Sequence, residues 1–314
     1  MEKAYLIMAH KDPTQVHRLV SRLNDGASEF FIHIDKKVDI SQFQILNEFG
    51  AILRFTERFD SRWGRLGLIE PFLSGMKAVK KSPKKFDRIL LLSGQDYPIK
   101  SNDYINRFFE TSPHSVFINY FPIPNYKKWP GSDRGGWYRV DKYYFGNKWY
   151  QFFCSKSLNL LSTYLPFLRR KIPNKMDPYA GQTWWNLDMY ALDYILAYHE
   201  KHPEYLDFHR NTFVADELYM QMIIGNSKDE KLLARIENSE KRFTIWEKAD
   251  SAHPKILRKT DLEAIMASDD LFARKFDENI DSEIMDLIDD KILKPKEPVH
   301  QRNTIVANEY SFSS

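Results

Sequence analysis

Ala4-Tyr5-Leu6-Ile7-Met8-Ala9 is a short, unbroken apolar run, followed closely by Asp12-Pro13. Such a run reads as a buried strand. Asp12 reads as a helix N-cap with Pro13 at the first helical position, where a missing N–H removes no hydrogen bond. Val16, Leu19, Val20 and Leu23 then repeat at helical spacing. Outward from this unit the pattern recurs. Residues 29–34 predict a second strand ending at Asp35, with a helix near 39–48 and a strand near 51–55 after it. Residues 66–81 predict a helix and 86–92 a strand. Strands alternating with helices imply an α/β fold with a mostly parallel sheet. Ligands of such sheets bind beyond the carboxyl ends of the strands. His10-Lys11, Asp35-Lys36-Lys37 and Ser93-Gly94-Gln95-Asp96 are therefore the segments that matter.

Beyond residue 120 the pattern weakens. Pro122, Pro124, Pro130 and the turn Gly135-Gly136 mark an irregular middle, about 120–180. Residues 142–175 carry seven Lys/Arg and no Asp/Glu, mixed with aromatic residues and leucine. That mixture reads as a solvated basic subdomain, or as a surface for an anionic membrane or a lipid-linked acceptor. Regularity returns with a strand at 183–187, helices at 188–200 and 216–224, a strand at 243–246 and a helix at 261–267. We expect one domain over 1–290, with a nucleotide-binding half (1–110) and an acceptor and catalytic half (111–290), then a loose tail at 291–314.

With 314 residues and 43% apolar content, the chain has material for a sizeable core. A net charge of +3 argues against a dedicated nucleic-acid binder. The aromatic content of 15% suits a large core and equally suits sugar binding, since sugar C–H faces pack on rings. Cys154 is the single cysteine, so no intramolecular disulfide forms and a reducing compartment is expected. We expect no signal peptide ahead of the first strand, and no apolar run reaches the ~18 residues of a spanning helix. The expected location is the cytoplasm, contact with the inner face of the membrane included.

Several residues carry chemistry. Asp35 closes a strand, where a carboxylate accepts hydrogen bonds from a ribose or a uracil N–H; a surface ion pair or helix cap explains it equally. Gly94 allows close backbone approach, with Asp96 beside it in the crevice, although a simple turn accounts for Gly94 and Pro98. Residues 61–65, including Arg65, precede a helix whose N–H groups favour anions. Asp216-Glu217 opens a helix; the dipole explains Asp216, and Glu217 is available as a general base. His253, Lys255, Arg258 and Lys275 are late cations of the kind a pyrophosphate needs, or merely solvated surface. No Asp-x-Asp follows a central strand, and Asp286 to Asp290 lie in an amphipathic stretch ill suited to a metal. Basic side chains must then do a metal's work at a pyrophosphate.

The order of Tyr5-Leu6-Ile7-Met8-Ala9-His10, Ile32-His33-Ile34-Asp35-Lys36-Lys37, Trp63-Gly64 and Leu92-Ser93-Gly94-Gln95-Asp96-Tyr97-Pro98 resembles one family. Gly181-Gln182-Thr183-Trp184-Trp185, Asp216-Glu217, Asn226-Ser227 and Phe272-Ala273-Arg274-Lys275-Phe276-Asp277 continue the match. The family is that of the core-2/I-branching β-1,6-N-acetylglucosaminyltransferases and peptide O-xylosyltransferases. The resemblance spans about 3–277, with a gap over the middle. It implies a GT-A type fold and an inverting, metal-independent transfer from a UDP-sugar to a glycan hydroxyl, with no cofactor. It implies Glu217 as base and Lys275 facing the pyrophosphate, with His253, Lys255 or Arg258 as a second cation. His10 and Asp35 would hold the nucleotide, Asp96 would sit near the donor, and Trp184 and Trp185 would line the sugar or acceptor side with Asp216. The familiar animal members have an anchor and several disulfides; this chain resembles a short microbial member making surface polysaccharide. A silent nucleotide- or carbohydrate-binding protein on the same scaffold, and a nucleic-acid binder built on the basic middle, are the competing readings.

Overall fold

The computed structural model describes residues 1–61, 66–129, 131–146, 148–248, 251 and 253–294. Arg65 and the Trp63-Gly64 pair lie outside the described residues, as does the tail beyond residue 294.

Strand β1 (Lys3–Ala9) pairs in parallel with β2 (Glu29–Ile34) on one side and β4 (Arg88–Ser93) on the other. β3 (Leu53–Phe55) extends the sheet beyond β2. β7 (Tyr179–Asp188) runs antiparallel to both β4 and β6 (Val116–Pro122), and β8 (Ile236–Glu237) closes the far edge. The order β3-β2-β1-β4-β7-β6-β8 is the mixed, mostly parallel sheet expected for a GT-A type fold. A second, small sheet orders β5 (Asp96–Pro98), β10 (Phe272–Arg274) and β9 (Arg242–Phe243) side by side.

The continuous apolar run of β1 follows from burial on both faces. Ala4, Leu6 and Met8 enter one core cluster, while Tyr5, Ile7 and Ala9 enter the other. The second cluster takes the stripe Val16, Leu19, Val20 and Leu23 of α1 (Pro13–Leu23). The first takes Ile69, Phe72, Leu73 and Met76 of α2 (Ile69–Lys80). α3 (Asn102–Thr111), capped by Ser101, joins the α1 side. α4 (Tyr138–Asp141) and α5 (Trp149–Tyr164) form the middle of the chain. α6 (Met189–Lys201), α7 (Pro203–His209) and α8 (Tyr219–Gly225) cover the α2 side, followed by the short α9 (Glu230–Leu233). α10 (Leu262–Ala267) and α11 (Glu283–Ile288) complete the α1 side. No helix of the described residues is long and apolar enough to cross a membrane.

Four local readings need correction. Asp12 is not a side-chain cap: it sits at φ 52°, and its carboxylate turns to Lys11 and Asn279 instead. Residues 40–52 wind as 3-10 turns through Gly50 rather than as an α-helix, and bury only Phe43 and Leu46. The strand expected at 243–246 is only Arg242–Phe243. The irregular middle holds the end of β6 and the 16-residue α5. The helical signal of α5 escapes notice because its apolar residues do not face the core. At the carboxyl end, Asp289 accepts from Arg18, Arg22 and Tyr97, so that acidic stretch ties α11 to α1.

Candidate active site

A cleft of about 510 Å3 opens where the carboxyl ends of β1, β2 and β4 meet β7. The strand ends supply His10, His33, Asp35, Ser93 and Gln95. Thr183 and Trp184 come from β7, and Asp216, Glu217 and Glu240 bring acids. Trp246, His253, Arg274 and Lys275 complete the lining.

The acid pair rides on a strained turn rather than at the start of a long helix. Val214 lies at φ 51°, a conformation that a β-branched residue rarely adopts. The chain then makes one 3-10 turn over Ala215–Glu217 and breaks at Leu218 before α8 begins. Strain of this kind persists only where surrounding contacts impose it, and it clusters at functional sites. Here it presents two adjacent carboxyls to the cleft. Glu217 Oε2 accepts from Arg139 Nη1 at 2.6 Å, and the Arg139 guanidinium lies 4.7 Å from the Trp129 ring centre. Asp216 Oδ2 accepts from Thr183 Oγ1 at 3.1 Å. Burial, reinforced by the neighbouring Glu217 charge, pushes the Asp216 carboxyl up to about 6.

The cation side is built by the small sheet. Its register sets Arg274 opposite Asp96, with Arg242 on the adjoining strand. Asp96 is fully buried, accepts the Ser93 N–H at 3.0 Å and the Ser93 hydroxyl at 3.1 Å, and forms an ion pair with Arg242, whose Nε lies 3.2 Å away. Arg274 Nε stands 3.7 Å from the other carboxylate oxygen, and its guanidinium stacks 4.1 Å from the Trp184 ring centre. Nε and Nη1 of Arg274 are buried without a hydrogen-bond partner among the described residues. Burial and the Arg242 charge pull the Arg274 pKa down, Asp96 opposing them. Lys275, next in sequence, is held below its ordinary value by burial, then by Arg274 and Lys11. Two adjacent cations thus crowd one wall, partly desolvated and repelling each other. Such an arrangement gains most from an anion of more than one charge.

The structure brings His10, Asp35, Asp216, Glu217, Trp184 and Lys275 to one cleft. Burial and the nearby Lys275 lower the pKa of His10. Other expected residues lie elsewhere. Trp185 is fully buried against Phe72, on the opposite face of β7 from Trp184, because successive strand residues alternate. Lys255 pairs with Asp261 at 2.7 Å, and Arg258 is exposed at the start of a 3-10 turn; neither lines the cleft. Gly94 is required for packing: a Cβ there would meet Val16 Cγ2 at 2.8 Å. Asp96 acts behind the wall, through the two arginines. Residues that sequence reasoning passed over are Arg139, His33, Glu240, Arg274 and Trp246. His33 and Arg274 sit inside the quoted motifs, which was their signal. Burial pulls the His33 pKa down to about 4, leaving the ring neutral, with Nε2 accepting the Phe59 N–H at 3.0 Å. Arg139 offered no signal, lying in the irregular middle 78 residues from its partner.

Glu240 yields a stability prediction. Burial raises its carboxyl from 4.5 to about 7 against the pull of Arg242 and Arg274, and Oε2 has no hydrogen-bond partner among the described residues. The folded state therefore binds this proton more tightly than the unfolded chain. Stability that is complete below pH 4.5 declines as the pH rises through 7. Asp216 adds a loss of the same sign through about 6. Glu240→Gln should remove its share, stabilising the protein at pH 8 relative to pH 5 by at most about 3 kcal/mol. Urea melts of both proteins at the two pH values measure this; parallel losses in both would assign the effect to other groups.

The family model described as Branch: Core-2/I-Branching enzyme matches residues 3–269. The chain is 26% identical over 209 residues to Beta-glucuronosyltransferase GlcAT14A of Arabidopsis thaliana, covering 66% of this chain and 43% of that one. It is 29% identical over 107 residues to Xylosyltransferase oxt of Drosophila melanogaster, covering 33% and 12%. The chain thus spans less than half the length of either relative. Among solved structures, a putative glucose-1-phosphate thymidylyltransferase from Bacillus anthracis aligns over 62% of this chain and 74% of its own, at 12% identity and TM-score 0.30.

Proposed function

The chain belongs to the Core-2/I-branching enzyme family, and from that premise we propose that it is an inverting glycosyltransferase using a UDP-sugar donor and a glycan acceptor. The observation that carries this reading is that one cleft is lined both by the adjacent cations Arg274 and Lys275 and by the adjacent acids Asp216 and Glu217. The nucleotide lies over the strand ends, near His10 and Asp35. The diphosphate meets Arg274 and Lys275, whose fixed charge stabilises the leaving group as negative charge develops. Glu217 takes the proton of the acceptor hydroxyl as that oxygen attacks the anomeric carbon from the face opposite UDP. The anomeric C–O bond to the diphosphate breaks as the new one forms, and UDP departs as the anion. Arg139 fixes the orientation of the Glu217 carboxylate. Transfer proceeds without a metal, the two cations taking the place of a divalent ion.

The donor is N-acetylglucosamine- or xylose-bearing UDP; the test panel also holds UDP-glucose, and UDP-glucuronate because of the name borne by the Arabidopsis relative. The acceptor is a glycan hydroxyl, free or lipid-linked, in surface polysaccharide synthesis on the cytoplasmic side of a bacterial membrane. A catalytically silent binding protein would share the fold, but it has no need for a base and a pair of leaving-group cations in the same cleft.

The test is a thermal-shift panel of nucleotide sugars and UDP, with and without EDTA. A ligand at 100 times its Kd stabilises the fold by about 2.7 kcal/mol. We expect shifts with UDP and with one UDP-sugar, unchanged by EDTA. Shifts abolished by EDTA would replace the arginine–lysine wall by a metal in this scheme. No shift with any member would reject the donor assignment.

A further inference from the structure

Helix α5 is packed inside out. Its protein-facing side is polar: Ser155 Oγ accepts the Phe145 N–H at 2.9 Å, and Asn159 bridges the Tyr143 backbone, accepting from its N–H at 2.8 Å and donating to its carbonyl at 2.9 Å. Ser155 and Ser162 are its buried residues. The side turned to solvent carries Trp149 (81% exposed), Phe152, Phe153, Leu160 and Tyr164 (77% exposed), and Phe167 lies just beyond. A contiguous apolar face of this kind is rare on a surface bathed only by water. Helices normally bury the apolar stripe and expose the polar one.

The surrounding charge selects the partner. Residues 142–175 hold seven cations and no acid, against a whole-chain net charge of +3. Lys148, Lys156 and Lys171 are exposed around the apolar face. A second copy of the chain would bring like charges against like. Tryptophan, tyrosine and phenylalanine beside lysine instead match the headgroup region of an anionic bilayer, where ring bodies enter the acyl boundary and ammonium groups meet lipid phosphates. The segment is anchored for this: Arg170 is buried and donates to the carbonyls of Lys142, Asn211 and Phe208. It also follows directly on α4, which carries Arg139 and so adjoins the base of the cleft.

We propose that α5 is a membrane-docking helix that seats the protein on an anionic lipid bilayer through Trp149, Phe152, Phe153, Leu160 and Tyr164. This rests on the surface alone and does not require the transfer reading.

Co-sedimentation of the full chain with vesicles tests it, using phosphatidylcholine alone and phosphatidylcholine mixed with phosphatidylglycerol, at low and high salt. We expect pelleting with the anionic vesicles, reversed by salt. The variant Trp149→Ser/Phe152→Ser/Phe153→Ser should lose at least about tenfold in partitioning per aromatic residue removed. Lys148→Gln/Lys156→Gln/Lys171→Gln should lose about fivefold per cation. Unchanged circular-dichroism melts verify folding, since all six side chains are exposed. No pelleting, equal pelleting with neutral vesicles, or an aromatic variant that pellets like the parent would overturn the proposal. A parent dimer dissolved by the aromatic substitutions would assign the face to a second copy instead.

Discussion

Glu217→Gln should lower turnover by about 10²–10⁴-fold while leaving UDP-induced stabilisation intact, because loss of a general base removes proton transfer and not donor binding. The amide keeps an oxygen for Arg139 Nη1, so the local hydrogen bond survives the change. UDP release from the donor that stabilises the fold, with a series of saccharide acceptors, measures the effect. The two roles open to Glu217 predict different results. If it only neutralises Arg139, the Gln variant melts earlier and turns over at the parent rate once folded. If it is the base, the melt changes little and the rate collapses. A variant with the parent's turnover would move the base assignment to Asp216 or Glu240, two of the other acids that line the cleft.

Asp96→Asn should cost about 3–5 kcal/mol of stability, the usual consequence of removing one member of a buried ion pair. Asp96 and Arg242 are both fully buried, and the carboxylate also receives two hydrogen bonds from Ser93. Without its charge, Arg242 keeps its bond to the Leu91 carbonyl but loses its counter-ion, and Arg274 loses the group that positions it over Trp184. Urea denaturation should therefore show a lowered midpoint, and the stabilisation by UDP should shrink as well. The expected pairing of the two losses separates this role from direct donor contact. A residue that touched the donor would lose affinity with the fold intact, and that outcome would return Asp96 to the cleft.

Much of the first hundred residues was legible because the signals there are local. The apolar run of β1, the stripe from Val16 to Leu23, and the placement of His10 and Asp35 immediately after strands each follow from a few adjacent residues. The middle of the chain was less legible for the opposite reason. The helical residues of α5 show no core-facing stripe, and Arg139 acquires its meaning only from Glu217, far along the chain. Trp184 and Trp185 look equivalent in sequence, yet one lines the cleft and the other fills the core.

By itself the sequence determined the alternation of strands and helices, the strand ends at which the cleft forms, and the family, since these are written in contiguous residues and their order. The tertiary structure alone decided which of many cations face the cleft and which face merely pairs or solvent. It set Arg274 and Lys275 on the wall, sent Lys255 to Asp261, and placed Asp96 behind Arg242. The reason is physical: a charge takes its role from its burial and its neighbours, and those are fixed by strand register and long-range packing.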